Sequence, residues 1–472
     1  MTILKMIIDT FGSVIIVPCV VFLLSVAIRV KPKEAFMGAF YMGIGLTAFN
    51  IILSTLMTAV SPSITMMVEN TGLNLPGLDI GWGAGAAIVF ANSIGMFYLV
   101  FGIIINLFLF LVKWTDTFQP TDIWNYYHFL FWAACVQFVT GSFALAVACA
   151  VFLNLIVLLL ADWLAPALQE YYGYEGVTST CLFSTNILPF AVLMRWIFKK
   201  LRLDNIKLDP KALQKSLGIF GQPVIIGAII GITLALIANI HDLGSMTIWA
   251  KILTTGITVG TIMALYPSVS GLFVKGLLPI SNTMNERIEK GEIKRKNFNL
   301  SLDPAIYFGE EANLTSGLLL MPIMLLIAVI QPGNRMLPLA DLAAIPFGII
   351  AATVAMRGNI FGVVVTSSIW YGIGQWFNSS ILEMFTQAAA NAGVVVEKGA
   401  LISSWCIGVN PIGYLGYKAF ILDGSGKFIG IGILVALYLI AYYFYKKNKV
   451  AWWVAAGASP EFIKAKLEAE AE

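Results

Sequence analysis

The chain has 472 residues, of which 59% are hydrophobic and only 12% charged, with a mean hydropathy of +0.85. An ordinary soluble domain is about 25% charged. The balance therefore excludes a cytosolic enzyme, a disordered protein and a nucleic-acid binder, and a net charge of +3 points to no partner by itself. What remains is a polytopic membrane protein.

A membrane span needs about 20 apolar residues. In chain order the candidates are 11–29, 36–60, 86–112, 129–161, 177–198, 217–240, 249–275, 313–330, 342–372, 380–412 and 427–445. The expected fold class is an all-α polytopic membrane protein of about eleven transmembrane helices. Several candidates exceed what a bilayer requires, which predicts tilting, kinking or re-entrant hairpins. One membrane domain covers 1–445 and a short tail covers 446–472. The N-terminal apolar run lacks a small-residue cleavage site and is read as the first span, not a removable signal.

Lys and Arg set the orientation. Basic clusters occur at Arg29/Lys31/Lys33, at 199–215, at 287–296 and at Lys446/Lys447/Lys449, whereas the connections 61–85, 162–176 and 241–248 contain neither residue. Eleven crossings put every basic cluster on one face, with the N-terminus outside and the C-terminus cytoplasmic. In the tail, Trp452 and Trp453 read as an interfacial anchor and the remainder as a short, solvated cytoplasmic helix. The five cysteines, Cys19, Cys135, Cys149, Cys181 and Cys406, lie in or beside apolar segments without C-x-x-C spacing, so small apolar packing is expected and no metal site. Asp79 in L-P-G-L-D and Asp341 in L-P-L-A-D each precede a Gly/Ala-rich stretch. They hint at an internal repeat; by the span count the two aspartates share a face, which fits a parallel repeat better than an inverted one, and a hidden hairpin would reverse that.

Polar residues inside apolar segments mark cavities and pathways. Asp122 to His128, D-I-W-N-Y-Y-H, opens the fourth span. Asp122 suits a helix N-cap, and Asn125 and His128 fall on one helix face, with Gln137 further along. His128 is either a site residue or a side chain satisfied at the interface. Leu302 to Asn313, L-D-P-A-I-Y-F-G-E-E-A-N, carries Glu310 and Glu311 into the eighth span with Asn313 a turn away. Two such acids without a basic neighbour point to a polar site. Arg357 in M-R-G-N either closes a broken helix or contacts substrate. Gly/Asn-rich breaks at 81–86, 390–393 (with Asn391) and 408–413 expose backbone groups of use to a polyhydroxylated ligand, although glycines also serve close helix packing. No phosphate-binding loop, zinc spacing or nucleophile elbow is present. No cofactor is expected, and the chain translocates something at the expense of another component or a gradient.

The blocks D-I-W-N-x-x-H with T-G-S, L-D-P-A, I-A-V-x-x-P-G-N with L-P-x-x-D-L-A, and A-A-N-A-G follow one another between about Lys31 and Asn410. In that order they resemble the enzyme IIC permease of the galactitol family in the bacterial phosphoenolpyruvate-dependent sugar phosphotransferase system, which is similar in fold to the ascorbate permeases. The resemblance implies a homodimer in the inner membrane, each protomer with a scaffold domain and a mobile core that works as an elevator. It implies uptake of a sugar alcohol, which a separate enzyme IIB phosphorylates from a phosphocysteine recharged by enzyme IIA; membrane lipid is the other partner. The basic loops at 199–215 and 287–296 are the expected docking surfaces for IIB.

Position by position, the resemblance implies substrate contacts at Trp82, Asn125, His128, Gln137, Ser184, Glu310 and Asn313. Asp79, Asp303 and Asn391 form a second rank. Two positions depart from the galactitol pattern, with Glu310 and Cys181 standing where that pattern has histidine. A carboxylate at Glu310 either hydrogen-bonds the ligand or also acts as general base for the attacking hydroxyl. The rival readings are a proton- or sodium-coupled polyol transporter and a membrane-embedded transferase.

Overall fold

The computed structural model describes residues 2–471 apart from 72–74, 207, 291–297, 395 and 397–399. The expected basic residues Lys207, Lys294, Arg295 and Lys296 lie outside the described residues. Among those described, seven helices are long and apolar enough to cross a membrane, the longest apolar runs being Phe143–Tyr172 and Pro32–Val60.

Several expected spans are not single helices. Each break carries a residue that ends or restarts a helix. The segment 129–161 divides at Gly141, which is left-handed (φ 66°), and Ser142 caps the next helix by accepting from Leu145 N at 3.3 Å. The segment 86–112 divides at Asn92, whose side chain accepts from Ile94 N. The segment 342–372 divides at Arg357 and Gly358, both left-handed (φ 54° and 74°), and Asn359 caps Ile360–Ser379. The segment 380–412 consists of the helix Leu382–Asn391, a strand and the one-turn helix Trp405–Gly408.

These breaks change the connectivity. Alternating crossings would put the connection 162–176 and the loop 199–215 on opposite faces. Instead Glu170 pairs with Arg357 at 3.1 Å, and Asn359 donates to Ile206 O, so the two connections meet at one end. The physical cause lies between the two connections: the segment 177–198 is not one helix but the strand Val177–Thr178, the one-turn helix Leu182–Thr185 and the helix Leu188–Lys200, a path that a hydropathy count cannot see. Arg287 donates to Ile28 O at 3.0 Å, which brings the ends of two other expected basic clusters together.

Among the described residues, six short strands form two parallel sheets. β1 (Gly77–Asp79) lies between β5 (Met336–Leu337) and β6 (Leu401–Ser403), pairing Gly77 with Met336 and Asp79 with Ser403. β4 (Asn299–Ser301) lies between β2 (Thr117–Phe118) and β3 (Val177–Thr178), pairing Asn299 with Thr117 and Ser301 with Thr178. Each sheet thus takes its central strand from one half of the chain and its edges from the other. Extended backbone is tolerable in such a protein because it is paired and buried in protein.

The helices Thr2–Ala27, Pro32–Thr71, Pro223–Ala238 and Met246–Glu289 pack as a separate group. Small residues allow this close approach: a Cβ on Gly38 would lie 2.6 Å from Gly276 O, and one on Gly256 2.9 Å from Ala228 O. The tail helix Lys449–Ala456 folds back on Phe143–Tyr172, whereas Pro460–Ala471 buries Ile463 and leaves most of its described side chains exposed. Trp163 donates to Trp452 O at 2.6 Å, Trp453 is 5% exposed, Lys449 pairs with Asp116 at 2.7 Å, and Ser459 N donates to Glu170. The tryptophan pair therefore packs into protein.

Candidate functional site

A cavity opens where the four-helix group meets the sheet-bearing part. Its walls are Leu46, Phe49, Asn50, Trp82, Trp124, Asn125, Tyr127, His128, Cys181, Phe183, Asp303, Pro304, Ala344, Phe347 and Cys406. Most of these side chains sit where a strand of one sheet hands over to a short helix, the points at which backbone direction changes and side chains converge.

At the β2–β4–β3 sheet, the 3-10 turn Gln119–Tyr126 leads into the helix Tyr127–Thr140. Asn125 Nδ2 donates to Asp122 Oδ1 at 2.7 Å and to Asp303 Oδ2 at 2.8 Å. One amide thereby clasps two acids that are far apart in sequence, while its Oδ1 has no protein partner among the described residues. Asp303 Oδ1 accepts from Ala305 N at 2.8 Å, which turns the L-D-P-A segment back towards the cavity. His128 is 6% exposed and packs between Tyr127 and Phe183, with ring centroids at 4.1 and 5.8 Å. Its nitrogens make no hydrogen bond to protein among the described residues, so the ring presents them to the cavity.

At the β5–β1–β6 sheet, Asp79 accepts from Gly81 N and Trp405 N, each at 3.1 Å, and from Asp341 N at 2.7 Å. Asp341 accepts from Trp82 N at 2.8 Å, Ser404 Oγ at 2.7 Å and Cys406 N at 3.0 Å. The two carboxylates are buried and full. They fix the backbone that aims Trp82 and Cys406 at the cavity, and the Trp82 ring lies 6.0 Å from Tyr127.

Of the residues singled out in sequence, Trp82, Asn125, His128 and Asp303 are brought together here. The others lie outside the lining. Gln137 exchanges hydrogen bonds with Ser93. Ser184 is buried with no partner for its hydroxyl among the described residues. Glu310 Oε2 caps the helix Glu311–Ile330 by accepting from Asn313 N at 2.9 Å. Asn313 spends its side chain on Phe308 O, Pro346 O and Thr353 Oγ1. Asn391 is exposed at the end of its helix. Two lining groups were not singled out as site residues in sequence: Asn50, an amide within an apolar span, and Cys406, expected only to pack and lying just ahead of the Gly/Asn-rich break at 408–413.

Aromatic walls with a few convergent polar groups suit a small ligand whose C–H faces stack and whose hydroxyls bond, and acceptors and donors are both present. No group of three or more His, Cys, Asp or Glu is placed to hold a metal ion among the described residues.

Comparison with known proteins gives the family. Residues 6–399 match the model of the EIIC-GAT family, described as the PTS system sugar-specific permease component. The chain is similar to the PTS system galactitol-specific EIIC component of Escherichia coli K12, 29% identical over 429 residues that cover 91% of this chain and 92% of that protein. It is also similar to a putative permease IIC component of the same strain, 30% identical over 432 residues covering 91% and 97%. The apolar helices and the family agree on an integral membrane protein. This chain belongs to the EIIC-GAT family of sugar-specific permease components of the phosphotransferase system.

Proposed function

We propose that the chain carries a sugar alcohol, galactitol in the first instance, across the bacterial inner membrane and presents it for phosphorylation by a separate enzyme IIB. In this reading it is the membrane subunit of a phosphotransferase complex with no phosphoryl-bearing residue of its own. IIB brings the phosphocysteine, IIA recharges it, and the carrier works as a homodimer. The observation that carries the reading is the clasp of Asn125 on Asp303 at the cavity. It joins the D-I-W-N-x-x-H and L-D-P-A blocks, in a chain similar over nine-tenths of its length to a galactitol-specific component. Trp82, Asn125, His128 and Asp303 are the proposed ligand contacts.

With a cytoplasmic C-terminus, the tail puts the β2–β4–β3 sheet toward the cytoplasm and the β5–β1–β6 sheet toward the outside. The exchange of central and edge strands between the two halves favours an inverted repeat over a parallel one. Transport then proceeds as an elevator, the sheet-bearing core sliding along the four-helix group.

The test is uptake of labelled galactitol into vesicles containing this chain, with and without IIB, IIA and phosphoenolpyruvate. Accumulation as phosphate only with the full relay is the expected result. Gradient-driven accumulation of free galactitol sinks the proposal. Glu310 lies outside the cavity lining, so as base it would have to meet the ligand in another state of the carrier; in that role Glu310→Gln is expected to slow phosphorylation at least tenfold with galactitol binding intact. A wild-type rate would leave Glu310 a structural role, through bonds such as its cap on Asn313 N.

A further inference from the structure

The Pro32–Thr71 helix carries hydroxyls and one unpaired amide within its apolar stretch. Thr47, Thr55 and Thr58 each donate to the carbonyl four residues earlier, at 2.9, 2.8 and 2.9 Å, so their polarity is absorbed by the helix itself. Asn50 cannot do this with both halves of its amide. It is exposed, lies midway along the apolar run Pro32–Val60, and makes no hydrogen bond to protein among the described residues. An amide left unpaired against hydrocarbon is costly, which is why such groups face cavities. Asn50 lines the cavity described above.

Its position on that wall is distinctive. Leu46, Phe49 and Asn50 are the lining residues that come from the four-helix group; the others belong to the sheet-bearing part. Phe49 meets Phe308 and Phe347 edge-on, at 5.6 and 5.3 Å, an aromatic seam without directional polar bonds. Among the described residues, Asn50 is thus the one polar side chain that this helix group brings to the cavity.

We infer that Asn50 hydrogen-bonds one hydroxyl of the bound sugar alcohol, and that this bond exists only while the sheet-bearing part lies against the Pro32–Thr71 helix. An amide offers both donor and acceptor, as a hydroxyl requires. A contact made in one state and lost in the other shifts the loaded carrier toward the state that has it. Asn50 is on this account a determinant of substrate affinity and of the preferred conformation, and the inference rests on the sugar-alcohol reading above.

Two variants test it. Asn50→Leu keeps the branched shape, with bulkier methyl groups, and removes the amide. It is expected to weaken galactitol binding by the purified carrier about three- to tenfold, the worth of one neutral hydrogen bond, while the unliganded protein unfolds at or above the wild-type temperature. Asn50→Cys is expected to react with a small charged methanethiosulfonate and to be protected by galactitol, with peptide mass separating the introduced thiol from Cys181 and Cys406. Unchanged galactitol affinity in Asn50→Leu overturns the inference, as does an introduced thiol that the reagent never reaches. Failure of the substrate reading looks different: the wild type itself then binds no galactitol, and the reagent still decides whether position 50 faces the cavity.

Discussion

The two small sheets use the same residue type for different ends. At the β5–β1–β6 sheet, Asp79 and Asp341 are surrounded by donors fixed in the backbone: Gly81, Trp82, Asp341, Trp405 and Cys406 all point N–H groups at them. At the β2–β4–β3 sheet, Asp122 and Asp303 share a single side-chain amide, Asn125, and Asp303 keeps a face on the cavity. Full lone pairs make a carboxylate a structural pin. Asp303, held by the Asn125 amide and the Ala305 N–H but beside open space, keeps acceptor capacity for a ligand.

The largest effect that would break this contrast is at the pin. Asp79→Ala strands three buried N–H donors at once, and losing a buried acceptor of this kind costs about 3–5 kcal/mol. The variant is expected to unfold at much lower temperature in detergent, or to fail to accumulate in the membrane. Unfolding at the wild-type temperature would mean the sheet does not depend on its carboxylate.

Next comes the open end. Asp303→Asn keeps the shape and a group able to bond Asn125, but removes the charge a ligand hydroxyl would meet. Hydrogen bonds to charged groups are worth about 1.5–3 kcal/mol, so galactitol affinity is expected to fall about 10- to 100-fold. Unfolding of the unliganded protein should change little by comparison. Calorimetric titration reads the first quantity and a thermal scan the second. Equal losses in both would erase the distinction between the two ends.

How much of this was legible in sequence follows from the same chemistry. Polar and ionisable residues in apolar surroundings are conspicuous, so Asn125, His128 and Asp303 stand out in their motifs. Glu310 stood out for the same reason, yet the cap it forms on Asn313 N is a local device whose signature, an acid three residues ahead of Asn313, was also present. Asn50 was hidden among threonines that satisfy themselves, because sequence does not tell which polar side chain bonds its own helix. The breaks at Gly141–Ser142 and within 177–198 are invisible to hydropathy, which measures length and not direction. Strands of two or three residues carry no periodicity at all, and pairing across hundreds of positions is a property of the assembled fold.

A smaller effect sharpens the ligand side. His128 stacks on Tyr127 and Phe183 and bonds to no protein group among the described residues. His128→Phe therefore preserves the stacking and removes only what the ring offers to the cavity. The expectation is galactitol binding about three- to tenfold weaker, one neutral hydrogen bond, with thermal stability unchanged. A large drop in stability would place the imidazole in the packing of the protein.

The smallest effect belongs to the rim of the pinned sheet, where polarity is exposed. Arg335 pairs with Glu383 at 2.5 Å, but the two side chains are 42% and 51% exposed, and such pairs contribute about 0–1 kcal/mol, less at high salt. The structural work of this residue is done by its backbone: its carbonyl accepts from Gly77 N at 2.9 Å, and its N–H donates to Ser379 Oγ at 3.0 Å. Arg335→Ala keeps both. It should unfold within 1 kcal/mol of wild type, a gap that closes as salt is added, whereas Asp79→Ala should stay destabilised at every salt concentration. If Arg335→Ala instead matched Asp79→Ala, the sheet would be held by its exposed charge and not by buried carboxylates, and the contrast between the two ends would have to be drawn elsewhere.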